Sequence, residues 1–183
     1  MRYCLAAALL LFTSTASADS LRFYLGAFDQ DAIFLAENAK VIRGDASIYG
    51  WVAENPFVPS QVIYHFDVSA RIKSARFWSN STFRVTTPND FLLLSVSADG
   101  TNWTDVAEGD ASKPLVGGLV DVTAPLMNAS EVYLRAQFIG EHMHVFRNWT
   151  LNDTAVVLIE TVPEPHFAAM LLSSFGMLLL RKR

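Results

Sequence analysis

Phe91-Leu92-Leu93-Leu94-Ser95-Val96-Ser97-Ala98-Asp99-Gly100-Thr101-Asn102-Trp103-Thr104-Asp105-Val106 alternates, turns and returns. Leu92, Leu94 and Val96 fall on one side of an extended chain and Ser95 and Ser97 on the other, the period-two pattern of a half-buried strand. Asp99-Gly100 supplies the φ > 0 residues that a tight hairpin turn needs, and Trp103 comes back on the second strand.

Working outward, the same period recurs. Residues 61 to 68 put Val62, Tyr64, Phe66 and Val68 on one face and Ile63, His65 and Asp67 on the other. Residues 131 to 139 alternate in the same way, with Val132, Leu134, Ala136 and Phe138 inward and Tyr133, Arg135 and Gln137 outward. Between Ile72 and Ala75/Phe77 the inward set changes phase, which predicts a β-bulge. Thr154 to Ile159 is continuously apolar and β-branched, as in a strand buried on both faces within a sheet. Earlier strands are predicted at residues 21 to 25 and 46 to 52, separated by a polar stretch. Pro56 and Pro59 break the loop 53 to 60, and Pro125 opens a turn. No helix-period segment of useful length occurs between residues 19 and 161, a single-domain length. The prediction is an all-β chain folded as a two-sheet β-sandwich.

Three runs carry a resemblance: Ile63 to Val68, the Ser97-x-Asp99-Gly100-x-x-Trp103 hairpin, and the late Tyr133-Leu134-Arg135 strand. Together they resemble the galactose-binding-like jelly rolls, the discoidin type among them, over residues 60 to 140. The resemblance implies a jelly-roll sandwich that binds carbohydrate or serves adhesion. The cysteine pair that often ties the ends of the discoidin type is missing.

Catalytic motifs are absent: there is no Gly-x-Ser-x-Gly elbow, no His-Glu-x-x-His and no phosphate-cradling glycine loop. The expectation is a protein that is not an enzyme. A sugar presents an apolar face of C–H groups, so a binding site wants an exposed aromatic ring among hydrogen-bonding side chains. Trp51, Phe57, His142, Arg147 and Trp149 stand near predicted loops and are the candidate ligand-binding residues. Trp103, just after the hairpin, is assigned a packing role. His142-Met143-His144 would put both imidazoles on one side of a strand, in reach of one metal. Gly140-Glu141 precedes them, so a solvent-facing loop is expected. Asp29, Asp31 and Glu37 offer hard oxygens to Ca²⁺, but a calcium site takes six to eight. No cofactor is therefore expected, with a structural Ca²⁺ at these three carboxylates as the alternative. Asn-x-Ser/Thr sequons occur at Asn80, Asn102, Asn128, Asn148 and Asn152.

The two ends carry addresses. Met1-Arg2-Tyr3, the apolar run Cys4 to Phe12 and Ala16-Ser17-Ala18 read as a secretory signal peptide (residues 1 to 18), cut by signal peptidase between Ala18 and Asp19. Cys4, the sole cysteine, leaves with it, so the exported chain has no disulfide. At the other end, Val162-Pro163-Glu164-Pro165 precedes an apolar run from Phe167 to Leu180 and the basic cluster Arg181-Lys182-Arg183. As a helix the run would be about 21 Å long at about 1.5 Å per residue, short of the roughly 30 Å hydrocarbon core. This ending resembles the PEP-CTERM sorting signal of Gram-negative bacteria, which exosortase, a membrane protease-transferase, recognises. The resemblance implies transient residence in the inner membrane through residues 162 to 183, then transfer to the cell surface or an extracellular matrix of exopolysaccharide. Setting aside the charges of both signals leaves 10 bases against 17 acids. Such an acidic body lacks the basic cluster that phosphate binding needs, so no nucleic-acid partner is expected.

Overall fold

The computed structural model describes residues 19–25, 31–43, 49–84, 87–109, 119–148 and 155–162. Ala18, Asp29, Trp149, Pro163, Glu164, Pro165, Arg181, Lys182 and Arg183 lie outside these residues, as do the segments expected as a signal peptide and as a C-terminal hydrophobic helix. Among the described residues the strands are β1 (Ser20–Tyr24), β2 (Ile33–Glu37), β3 (Ala39–Arg43), β4 (Tyr49–Ala53), β5 (Ser60–Asp67), β6 (Ile72–Trp78) and β7 (Thr82–Arg84). They continue with β8 (Phe91–Ser97), β9 (Thr104–Gly109), β10 (Leu119–Asp121), β11 (Glu131–Ile139), β12 (His142–Asn148) and β13 (Val156–Thr161). The one short helix among them, α1 (Thr123–Leu126), occupies the turn opened before Pro125.

The expected all-β sandwich is what forms. One layer is a five-stranded sheet in the order β2-β5-β11-β8-β9. The other comprises two four-stranded sheets, β1-β13-β6-β10 and β3-β4-β12-β7. They meet where Asn80, between β6 and β7, exchanges backbone and side-chain hydrogen bonds with Arg147. All pairings are antiparallel.

The alternation seen in the sequence builds the core. Val62, Tyr64 and Phe66 of β5, Leu92, Leu94 and Val96 of β8, and Val132, Leu134, Ala136 and Phe138 of β11 all point inward and are buried. Ile72, Ala75 and Phe77 of β6 and Val157 and Ile159 of β13 meet them from the other layer. Rings cross the interface: Phe23 lies 4.6 Å from Phe66, and Phe146 lies 5.7 Å from Tyr64 and 5.8 Å from Phe77. Removing each such side chain from water contributes about 1.5–3 kcal/mol. The phase change in β6 is a bulge, since Thr161 opposes Ile72 but Glu160 opposes Ser74.

Two expectations are corrected. The polar stretch before residue 46 holds two strands, β2 and β3. Asn38 separates them at φ 47°, a left-handed conformation that Asn tolerates better than most residues. The segment expected as a loop around His142 is instead β12, because Met143, Val145 and Phe146 all reach the core. Consecutive residues can both point inward because Phe146 adopts φ 54° at a register shift, and its amide is satisfied by Ser81 Oγ at 3.1 Å.

Candidate functional site

The five-stranded sheet turns its other face to solvent, and the register fixes which side chains share it. Tyr133 lies opposite His65 on one side and Ser97 on the other. Two residues along β11, Arg135 lies opposite Ile63 and Ser95, and two further on Gln137 lies opposite Gln61 and Leu93.

Two bulges complete this face. Phe34 is the extra residue of β2, since Ile33 opposes Tyr64 and Leu35 opposes Ile63. The bulge sends its ring outward, 64% exposed, edge-on to both His65 (6.2 Å) and Tyr133 (5.8 Å). A second shift in β9, across Val106, brings Asp105 opposite Ser95. A bulge re-aims a side chain at the cost of one unpaired residue.

The resulting arrangement is an aromatic strip with polar borders. His65 and Tyr133 stack at 4.3 Å and 10°. The Tyr133 hydroxyl donates to Glu131 Oε2 at 3.0 Å, and His65 Nε2 is 3.4 Å from the same oxygen. That donation favours the neutral phenol, so the Tyr133 pKa is raised above its ordinary 10.0. Next along the sheet the Arg135 guanidinium covers the Trp103 ring, 4.2 Å from its centroid. Arg135 donates to Ser95 Oγ at 3.3 Å, which donates to Asp105 Oδ1 at 2.7 Å. Burial lowers the Arg135 pKa, and the nearby Asp105 charge opposes that change. Beyond it, Gln61 donates to Glu37 Oε2 at 2.8 Å, and Glu37, Gln61, Gln137 and Phe91 line a depression of about 240 Å³.

The Asp99-Gly100 turn supports the strip from the side. It is longer than the tight hairpin expected: Val96 and Thr104 are the last paired residues, and the loop between them is held by Asp99. One Asp99 oxygen accepts from the amides of Thr101 (2.8 Å) and Asn102 (2.7 Å) and from Ser97 Oγ (2.9 Å). The other accepts from the Asn102 side chain at 2.6 Å. These donors, those of Asn102 foremost, hold the Asp99 pKa far below its ordinary value. Gly100 has φ 73°, and a Cβ there would meet the Tyr133 ring at 3.1 Å.

The residues chosen from sequence fare unevenly. Trp51 is a core residue, only 4% exposed, and its Nε1–H donates to the buried Tyr64 hydroxyl at 2.7 Å. It lies in β4, within the strand expected at residues 46 to 52, and points into the core, so its ring has no face to offer a sugar. Phe57 is 79% exposed and borders a cleft of about 280 Å³ with Asn89, Asp90 and Glu141. His142 and Arg147 sit toward opposite ends of β12. Arg147 packs beside Gly50. Asp31 and Glu37 are exposed at either end of the segment holding β2. Among the described residues no group of three His, Cys, Asp or Glu side chains is placed to hold a metal ion.

Asp90 is the buried carboxylate among the described residues, 3% exposed, and it accepts from the Thr87 amide and hydroxyl. Glu141 shares its cleft but is exposed. The outer-face residues that sequence reading did not select were half visible. Alternation had already put His65, Tyr133, Arg135 and Gln137 outward, whereas the bulge hid Phe34.

No protein-family model matches this sequence, and no curated protein matches it. Solved structures with a similar chain path include TmCBM61 in complex with β-1,4-galactotriose, at 12% identity, TM-score 0.38, covering 76% of this chain and 84% of that one. A native family 35 carbohydrate-binding module from Clostridium thermocellum is 9% identical, with TM-score 0.39, over 77% of this chain and 98% of that one. A family 29 carbohydrate-binding module is 13% identical, with TM-score 0.37, over 70% and 89%. Similarity at this level carries nothing about the ligand of this chain.

Proposed function

We propose that this is an exported, non-catalytic carbohydrate-binding or adhesion module, delivered by its PEP-CTERM ending to the surface or matrix of a Gram-negative bacterium. The observation that supports the binding half is the outer face of the five-stranded sheet. An exposed Phe34 ring stands beside the His65–Tyr133 stack and the Arg135–Trp103 pair, bordered by amides and carboxylates. A pyranose stacks its C–H face on such a ring while its hydroxyls exchange hydrogen bonds with Glu131, Arg135, Gln61 and Gln137. A strip that runs along the sheet from Phe34 to Gln137 suits a polysaccharide chain better than a single sugar.

The test is a glycan array with the wild-type protein, followed by titration of the best neutral oligosaccharide against Phe34→Ala and Tyr133→Ala. Each variant weakens binding about tenfold, a loss of about 1.4 kcal/mol. Unchanged affinity in both would end this reading and leave, as the alternative, a purely structural envelope or biofilm protein without a specific ligand. Export and sorting are tested by the intact mass of the protein from its host. A chain starting at Asp19 and ending near Pro165 supports processing, whereas a chain running on to Arg183 removes the sorting step.

A further inference from the structure

The sandwich has a second outer face, on the sheet β1-β13-β6-β10, and it carries a duplicated triplet. Arg22-Phe23-Tyr24 lies in β1 and Arg76-Phe77-Trp78 in β6. Register makes the two copies equivalent: Leu158 of β13 opposes Arg22 on one side and Arg76 on the other, and Val156 opposes both Tyr24 and Trp78. Both neighbours are antiparallel to β13, so β1 and β6 run the same way and the triplets are related by a simple shift across the sheet. Each central Phe points inward, Phe23 onto Phe66 and Phe77 onto Phe146. Alternation therefore sends each Arg and its aromatic partner outward.

The face is open. Arg22 and Arg76 are exposed, Trp78 is 38% exposed and Leu119, opposite Trp78 in β10, is 51% exposed. Among the described residues neither guanidinium forms an ion pair within 4.0 Å. Two acids share the face: Glu160 accepts from Ser74 Oγ at 3.0 Å, and Asp121, which lies opposite Arg76 and feels its charge, accepts from the Thr123 amide at 2.9 Å. Exposed Arg71 and Lys73 add positive charge at the start of β6. This basic, aromatic face stands on a body whose net charge is acidic.

We infer that this face binds an anionic polysaccharide, each Arg–aromatic pair taking one acidic sugar through its carboxylate or sulfate and its C–H face. Two strand steps separate the pairs, about 9.6 Å at about 4.8 Å each. That is close to the repeat of a disaccharide along an extended chain, so alternate residues of one polymer meet equivalent pairs. Arg is suited to the task because its planar fork reads a carboxylate bidentately while its neighbour stacks. The face is separate from the aromatic strip on the five-stranded sheet, so the inference does not depend on that strip.

The experiment uses the full-length protein and three probes: polygalacturonate, its fully methyl-esterified form and vesicles of anionic lipid. Wild type binds polygalacturonate, with affinity falling as salt rises, and binds the neutral ester at least about tenfold more weakly. Arg22→Gln/Arg76→Gln and, separately, Trp78→Ala each lower polygalacturonate binding about tenfold or more, whereas Phe34→Ala does not. Urea unfolding of these surface variants at the wild-type midpoint shows that they remain folded. Equal binding of acid and ester, or unchanged affinity in the double Arg variant, overturns the inference. So does vesicle binding lost in parallel with polymer binding, which would make the face a membrane contact. Loss of neutral-glycan binding in Phe34→Ala reports only on the other face.

Discussion

Asn38 joins β2 to β3 and fastens the loop that displays Phe57, so its replacement tests how that loop is held. Its Nδ2 lies 2.8 Å from the Asn55 carbonyl, 2.9 Å from the Val58 carbonyl and 2.8 Å from Ser60 Oγ, and its Oδ1 accepts from the Asn55 amide at 2.9 Å. Two N–H groups and one oxygen make three bonds at a time, and at this half-buried position each contributes near the low end of the usual range, about 0.5–0.7 kcal/mol. Alanine at φ 47° adds about 1 kcal/mol of backbone cost. Asn38→Ala is therefore expected to destabilise by about 3 kcal/mol, and Asn38→Gly, which accepts the backbone, by about 2 kcal/mol. With a slope of about 2 kcal/mol per molar, the urea midpoint of the Ala variant falls by about 1.5 M at unchanged slope. Hydrogen exchange should also quicken at the Asn55 amide and at Gly140, whose N–H is bonded to Pro56. A midpoint within about 0.3 M of wild type, with Asn55 as protected as before, would refute the reasoning.

Tyr64→Phe removes the acceptor of the buried Trp51 Nε1–H and is expected to lower unfolding free energy by about 1–3 kcal/mol in urea titration. Gly100→Ala forces a side chain into φ 73° against the Tyr133 ring; it should cost about 1–2 kcal/mol and weaken neutral-glycan binding in the same titration that tests Phe34→Ala. Asp99 has a folded pKa depressed below its ordinary 3.8, so its contribution is complete above that value and is lost as pH falls through the folded one. The stability gap between wild type and Asp99→Ala should hold at neutral pH and narrow steadily below about pH 4, as followed by urea unfolding at stepped pH.

The parts of this fold that obey period two were legible, and the parts that break it were not. β5, β8 and β11 read directly because every second residue is apolar and most of the intervening ones are polar, with Ile63, Phe91 and Leu93 among the exceptions. The bulge of β6 was visible because Ile72 and Ala75 cannot share a face without an extra residue between them. In β2 the bulge at Phe34 gave four apolar residues in a row within a polar stretch, and no period survived to mark a strand. In β12 the left-handed Phe146 allows Val145 and Phe146 both to be buried, which breaks the alternation after His144, and Gly140-Glu141 ahead of the histidines suggested a loop. The same irregularities govern the candidate site. Trp51 stands near a predicted loop in the sequence but is anchored in the core by Tyr64. Phe34 was overlooked because only a three-dimensional register shows that it stands beside His65 and Tyr133. The turn at Asp99-Gly100 was placed correctly and its length was not, because the side chains of Ser97 and Asp99, rather than the backbone alone, close it.

The first and last described strands lie side by side, with the Thr161 amide bonded to the Asp19 carbonyl at 3.0 Å and Ser20 opposite Glu160. A pull that separates Asp19 from Val162 opens this ladder from its end, one rung after another, at low force. A pull that enters beyond Val162 and is resisted by something gripping β6 acts along the axis of β13. Every rung from Val156 to Thr161, against β1 on one side and β6 on the other, is then sheared together. A domain tethered through that strand and holding its load on the neighbouring one would resist rupture far better than its modest thermodynamic stability implies.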